Sequence, residues 1–191
     1  MPKAAAFAIC AVVLFLLPGL SRGETPDCSM CHPDKAEGKV VHPAVSMGCT
    51  SCHSGVDASQ IPHAFTGEKG LSSGVPDLCF GCHGTGAFTG KTVHMPVTAG
   101  MCLQCHSPHT SENAKLLLAK GNALCTGCHG DIKEGSHVTA GHPLKGPKDP
   151  KRPGEPFGCV SCHNPHASSS PTLFRYEAQD AFEICGHCHE F

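Results

Sequence analysis

Seven times in 191 residues the chain repeats Cys-x-x-Cys-His, at Cys28/Cys31/His32, Cys49/Cys52/His53, Cys79/Cys82/His83, Cys102/Cys105/His106, Cys125/Cys128/His129, Cys159/Cys162/His163 and Cys185/Cys188/His189. Two thiols separated by two residues can reach neighbouring edges of one planar macrocycle while the next imidazole swings beneath its centre. That is the chemistry of c-type haem attachment, in which the thiols bond covalently to the porphyrin vinyl groups and the His ligates the iron from one face. The fourteen motif cysteines are therefore read as covalent attachment points and the seven adjacent histidines as proximal ligands. The implied cofactor is haem c, seven per chain.

Two other chemistries use closely spaced cysteines. Tetrahedral zinc sites combine two Cys pairs, or a Cys pair with a His pair, and nothing in them requires a His after the second Cys of every pair; seven pairs would also leave one unmatched. A disulfide scaffold gives no reason for the seven histidines either. Of the 15 cysteines only Cys10 lies outside a motif, so no thiol is left for a disulfide.

Cys10 sits in a segment with the pattern of an export signal. Lys3 supplies the positive start, residues 4–17 are apolar, Pro18 and Gly19 break the run, and Ser21-Arg22-Gly23 offers small residues where a signal peptidase reads. Residues 1–23 are expected to be removed. About 14 apolar residues are too few for the ~20 that span a bilayer as a helix, and Cys10 is too early for a lipoprotein site, so no membrane span remains after leader removal. The expected address is the periplasm or the cell exterior, outside the cytoplasmic membrane, where such haems are attached.

The remaining 168 residues give 24 per haem. Units below about 40 residues do not build an ordinary core without metals or covalent staples, so the haems must themselves be the core. With no Trp, one Tyr, 22 Gly and 16 Pro, the composition favours turns. The expected fold is mostly irregular with short α-helices, a small multihaem cytochrome c arrangement organised around a haem stack, with little or no β-sheet.

A second regularity lies between the motifs. His42-Pro43, His94-Met95-Pro96 and His142-Pro143 each follow an odd-numbered motif; Cys-His-Ser-Pro-His109 and Cys-His-Asn-Pro-His166 continue two even ones, with Ile61-Pro62-His63 as a displaced counterpart. The chain thus divides into a two-haem module at 24–70, a second at 71–114, and a third with a terminal haem at 115–191. Setting aside His187, which lies inside its own motif, seven histidines remain for seven irons: His42, His63, His94, His109, His137, His142 and His166. That equality is what a second imidazole on every iron requires. Met47, Met95 or Met101 could replace a His somewhere, His137 being the weakest candidate, and which candidate serves which haem stays open.

With these residues in view, the chain resembles the doubled-CxxCH multihaem c-type cytochromes. The likeness rests on the leading motif, the intermediate His-Pro or His-x-Pro, the Cys-x-x-Cys-His-x-Pro-His block, and a Leu-rich or aromatic stretch (Leu116 to Leu118, Leu173-Phe174) before the next motif. The resemblance implies electron carriage in the periplasm or outside the cell, with other redox proteins or extracellular electron acceptors as partners. It also implies that assembly into a homo-oligomer or filament is within reach.

Local structure is expected to include a short helix at 111–120, a longer one at 172–188, and loop at 54–74. The run 143–156, with a proline at every third or fourth position, can be neither helix nor central strand. Its four cations could dock an acidic redox partner; the preferred reading is a solvated loop covering a haem edge. The formal charge of −2 becomes −4 without Lys3 and Arg22, and haem propionates add to it, which argues against nucleic acid as partner. A reductase would need an open iron position, whereas the histidine supply closes all seven. The chain is read as an electron conduit, with no catalytic residues. A reductase with one open haem, or a filament subunit, is the alternative.

Overall fold

The computed structural model describes residues 27–191 apart from 133–136, 138, 140 and 179. The leader at 1–23, with Cys10, lies outside the described residues. As expected for so small a share of chain per motif, the regular elements are short. Five α-helices are described, α1 (Asp77–Phe80), α2 (Met95–Thr98), α3 (Asn122–Thr126), α4 (Cys159–Cys162) and α5 (Ala181–Gly186), none longer than six residues. Six two-residue strands, β1 (Val40–Val41), β2 (Val56–Asp57), β3 (Ala64–Phe65), β4 (Thr92–Val93), β5 (Thr110–Ser111) and β6 (Ala167–Ser168), form three antiparallel ladders in the order β1–β5, β2–β3 and β4–β6. Among the described residues no helix is long and apolar enough to cross a membrane.

Two of the ladders continue into a histidine. The His42 N–H donates to the His109 carbonyl at 2.7 Å, one step beyond β1–β5, and the His94 N–H to the His166 carbonyl at 2.9 Å, one step beyond β4–β6. These two ladders join segments that the module boundaries at 70/71 and 114/115 would separate.

Three expectations of local structure are corrected. Residues 111–120 are not a helix: Ser111 belongs to β5 and only Ala114–Leu116 makes a 3-10 turn. The Ser111 hydroxyl donates to the Leu117 carbonyl at 2.6 Å and accepts from the Asn113 N–H at 2.9 Å, so local polar bonds replace the helical ladder. Residues 172–188 are helical only at α5, begun by Asp180, whose carboxylate accepts from the Phe182 and Glu183 N–H groups. Upstream, Leu173 has φ 59° and the Arg175 N–H is drawn to the Cys162 carbonyl at 2.7 Å, which holds this stretch against the sixth motif. The loop expected at 54–74 contains the β2–β3 hairpin. Residues 143–156 contain neither helix nor strand, only a bridge between Gly146 and Phe157.

The polypeptide supplies almost no core. Among the described residues the buried apolar side chains are Ala167 and Ala178, while Ile61 is 86% exposed, Met30 83% and Met95 68%. Polypeptide that leaves its large apolar groups uncovered is shaped for something other than itself to cover them.

Candidate haem sites

All seven motifs close the same helical turn. The N–H of each motif His donates to the carbonyl of the first motif Cys at 2.9–3.0 Å. A helical turn puts positions i, i+3 and i+4 on one face, so both thiols and the imidazole are presented to one side. No disulfide joins any of the fourteen described cysteines.

The structure brings histidines together in twos. Ring centres are 6.1 Å apart for His32 and His63, 6.0 Å for His53 and His109, and 6.0 Å for His83 and His42. They are 6.1 Å apart for His106 and His166, 6.1 Å for His129 and His94, and 6.3 Å for His189 and His142. A metal-bound imidazole nitrogen lies about 2 Å from the ion and about 1.1 Å from its own ring centre, so two rings facing each other across one ion have centres about 6.2 Å apart. The donor set therefore fits a porphyrin iron, which takes one ligand on each face. Among the described residues, no three or more His, Cys, Asp or Glu side chains gather as a metal cage.

The one motif histidine left, His163 of the sixth motif, has His137 as its neighbour. Burial first, then repulsion from His163 and His142, holds the His137 imidazole below its ordinary pKa, and its Nδ1 is buried without a hydrogen-bond partner. His109 and His166 are also lowered, by burial first and then by the imidazoles they face, His53 and His106. Each shift favours the neutral, metal-binding form. His187 has a different neighbour, stacked on Tyr176 with ring centres 4.4 Å apart.

The rings are aimed by backbone carbonyls. His53 Nδ1 lies 2.9 Å from the Lys69 carbonyl, His106 Nδ1 2.9 Å from that of Lys115, and His163 Nδ1 2.9 Å from that of Thr172. In all three, the residue three positions later donates its N–H to the carbonyl of the second motif Cys: Ser72 to Cys52, Leu118 to Cys105 and Arg175 to Cys162. The return is made through the left-handed region, with φ 50° at Lys69, 58° at Lys115 and 59° at Leu173. Nδ1–H given to a carbonyl leaves Nε2 as the free lone pair and fixes the ring plane. His63, His94 and His142 are held likewise by the carbonyls of Gln60, Pro165 and Pro143 at 2.8–3.0 Å.

The structure shelters the motif cysteines unequally. Cys31, Cys82, Cys128 and Cys188, the second cysteines of the odd-numbered motifs, are exposed, as is Cys49; the other nine are half-buried. The physical reason is the return just described. It lies over Cys52, Cys105 and Cys162 of the even motifs, whereas among the described residues no backbone N–H is bonded to the carbonyl of Cys31, Cys82, Cys128 or Cys188. A thiol that protein leaves uncovered is open to the edge of a macrocycle. Cys31 and Cys82 thus fit covalent attachment points on an open face, and do not fit a cofactor pocket walled by polypeptide.

The first return is longer, its carbonyl 16 positions after the histidine where the other two are nine. The surplus is the β2–β3 hairpin, which carries His63 to His32. This accounts for the displaced position of Ile61-Pro62-His63.

Successive motifs are neighbours in chain order. Cys28 of the first lies beside Cys49 of the second, Cys79 beside Cys102, and Cys125 beside Cys159. Between these close pairs, Cys52 neighbours Cys79, Cys105 neighbours Cys125 and Cys128, and Cys162 neighbours Cys185 and Cys188. The motifs follow one another in a row, each beside its neighbour in the chain.

A family model for the doubled CXXCH motif matches residues 42–88, 94–134 and 152–191, more than half of the chain. Each matched segment holds two motifs, the second and third, the fourth and fifth, and the sixth and seventh. No curated protein matches the chain.

Proposed function

The chain belongs to the doubled-CXXCH multihaem c-type cytochromes, and on that premise we propose that it is an electron conduit of periplasmic or extracellular respiration, carrying seven haems, each held between two imidazoles. The observation that carries this reading is the set of six histidine pairs with ring centres 6.0–6.3 Å apart, strung along motifs that are neighbours in chain order. Bound haem c supplies a one-electron couple.

The polypeptide's part is positional. His32, His53, His83, His106, His129, His163 and His189 provide the proximal ligands. The distal ligands, in the same order, are His63, His109, His42, His166, His94, His137 and His142. Imidazoles fixed through Nδ1 keep their place in both oxidation states, so little rearrangement accompanies electron transfer. Two imidazoles per iron also set lower potentials than a His/Met set would.

Ligand saturation is tested by adding carbon monoxide to the reduced protein. The Soret band is expected to stay unchanged, and electron paramagnetic resonance of the oxidised protein to account for seven low-spin irons per chain by intact mass and spin count. A carbon monoxide shift, or a high-spin signal of one iron per chain, would show an open site and turn the reading towards a reductase.

The ring planes make a finer prediction. They meet at 13° for His42 with His83 and for His53 with His109, but at 89° for His142 with His189. Parallel imidazoles split the iron dπ orbitals, whereas perpendicular ones leave them nearly degenerate. The low-spin spectrum should therefore contain rhombic signals and a separate one with a large maximal g value, and His142→Ala should remove the latter alone.

A further inference from the structure

The proline-rich run at 143–156 is a braced platform rather than a slack loop. Asp149, 6% exposed, sits at its centre. Its carboxylate accepts from the Lys151 N–H at 2.9 Å, the Arg152 N–H at 3.0 Å and the Arg152 Nε at 2.7 Å. Burial works to raise this acid, but the hydrogen bonds from Ser161, Lys151 and Arg152 outweigh it and hold it at about 2, so the ion pair is intact at neutral pH. Gly146 and Phe157 exchange both backbone hydrogen bonds across the base, and the Asp149 N–H reaches the Glu155 carbonyl at 2.8 Å.

The platform is anchored to the last three motifs. Asn122, in the α3 turn of the fifth motif, donates to the Leu144 carbonyl at 2.6 Å and accepts the Cys159 N–H of the sixth at 2.9 Å. Arg152 reaches the hydroxyl of Ser161, inside the sixth motif, and the Phe157 ring lies 5.8 Å from that of His142, which faces His189 of the seventh.

With Arg152 consumed by Asp149, the platform's other three cations point outward. Lys145, Lys148 and Lys151 are exposed, and among the described residues none takes part in an ion pair. Glu155 is the one exposed carboxylate among them. This is a local excess of positive charge on a chain of formal charge −2, which haem propionates make more negative. Resting on the conduit reading above, we propose that residues 144–156 are the docking face for an acidic redox protein, which exchanges electrons with the chain at its sixth and seventh motifs. Fixed cations over an electron exit raise encounter rates with an acidic surface and fix its orientation.

The test is stopped-flow electron exchange with reduced flavodoxin, a small acidic redox protein, as probe. Wild type is compared with the triple variants Lys145→Gln/Lys148→Gln/Lys151→Gln and Lys145→Glu/Lys148→Glu/Lys151→Glu. The wild-type bimolecular rate is expected to fall about tenfold between about 10 mM and 500 mM salt, as screening shortens from about 30 Å to a few ångströms. The Gln variant should lose most of that dependence and the Glu variant should react at least tenfold more slowly at low salt. The neutral variant keeps the test valid if charge reversal impairs assembly. Unchanged low-salt rates in both variants would overturn the proposal. So would a shifted midpoint potential with the salt dependence intact, which would assign the ammonium groups to the haems' own carboxylates. Haem content and low-spin count measured on the same wild-type sample report separately on the conduit reading.

Discussion

Produced without covalent haem attachment, residues 24–191 are expected to show the far-ultraviolet circular dichroism of an unfolded chain and no cooperative thermal transition. The argument is one of opposing magnitudes. Ordering a backbone costs about 1–2 kcal/mol per residue, and the main offset is apolar burial at roughly 25 cal/mol per Å². Here the described polypeptide buries Ala167 and Ala178 and no larger apolar side chain. Local structure cannot make up the difference. The longest described helix has six residues, against about 12–15 for even a marginal isolated helix, and every described strand has two. The stabilisation has to come from the faces of the macrocycles, the thioether bonds and the iron–imidazole bonds, as in small metal-folded domains. A cooperative melt of the haem-free chain would mean that the polypeptide folds on its own contacts, and would remove the physical basis for reading it as a wrapper around haem.

The same shortage of ordinary core explains what could be read from the sequence. The motif turns were legible because Cys, Cys and His at i, i+3 and i+4 state both the chemistry and the helical face that serves it. The turn-rich fold class followed from the small number of residues per motif together with 22 Gly and 16 Pro. The returns after the even motifs were visible only as a recurring stretch at Leu116 to Leu118 and Leu173-Phe174. Their work is done by the carbonyls of Lys69, Lys115 and Thr172, and a carbonyl has no letter in a sequence. For the same reason the sequence does not show that the returns cover Cys52, Cys105 and Cys162 and leave Cys31 and Cys82 exposed. Left-handed φ at Lys69, Lys115 and Leu173 was equally hidden, since that region ordinarily advertises itself through Gly or Asn. The helices expected at 111–120 and 172–188 gave way because local propensity was outweighed by backbone bonds to Cys105 and Cys162.

The pairing of histidines lay deeper still, because it joins positions far apart in the chain. His42 faces His83 of the following module, while His109 and His166 reach back to His53 and His106 of the preceding ones. On the proposed ligation, segments that supply imidazoles to one another in both directions are coupled: removing one opens sites in its neighbour. A count of candidates can show that the supply is sufficient, but only the ladders at His42–His109 and His94–His166 show how distant segments are registered so that rings meet.

His94→Ala should convert one site in seven and leave the other six alone. His94 stands one step beyond the β4–β6 ladder, its Nδ1 3.0 Å from the Pro165 carbonyl and its ring 6.1 Å from that of His129 at an interplanar angle of 21°. The backbone bond from its N–H to His166 does not depend on the side chain, so the ladder survives the substitution and the Cys125/Cys128 thioethers keep the haem in place. What is lost is the sixth ligand on one iron. The expected result is a high-spin signal of one iron per chain, stoichiometric binding of one carbon monoxide on reduction, and a raised midpoint potential for that site, with total haem unchanged. His187→Ala is the matching control, since that imidazole stacks on Tyr176 and not opposite a motif histidine; it should bind no carbon monoxide. A His94→Ala protein that stays fully low-spin would place a different side chain on that iron, Met95 or Met101 being nearest in sequence. It would also break the inference from ring separation to ligation on which the other pairs depend.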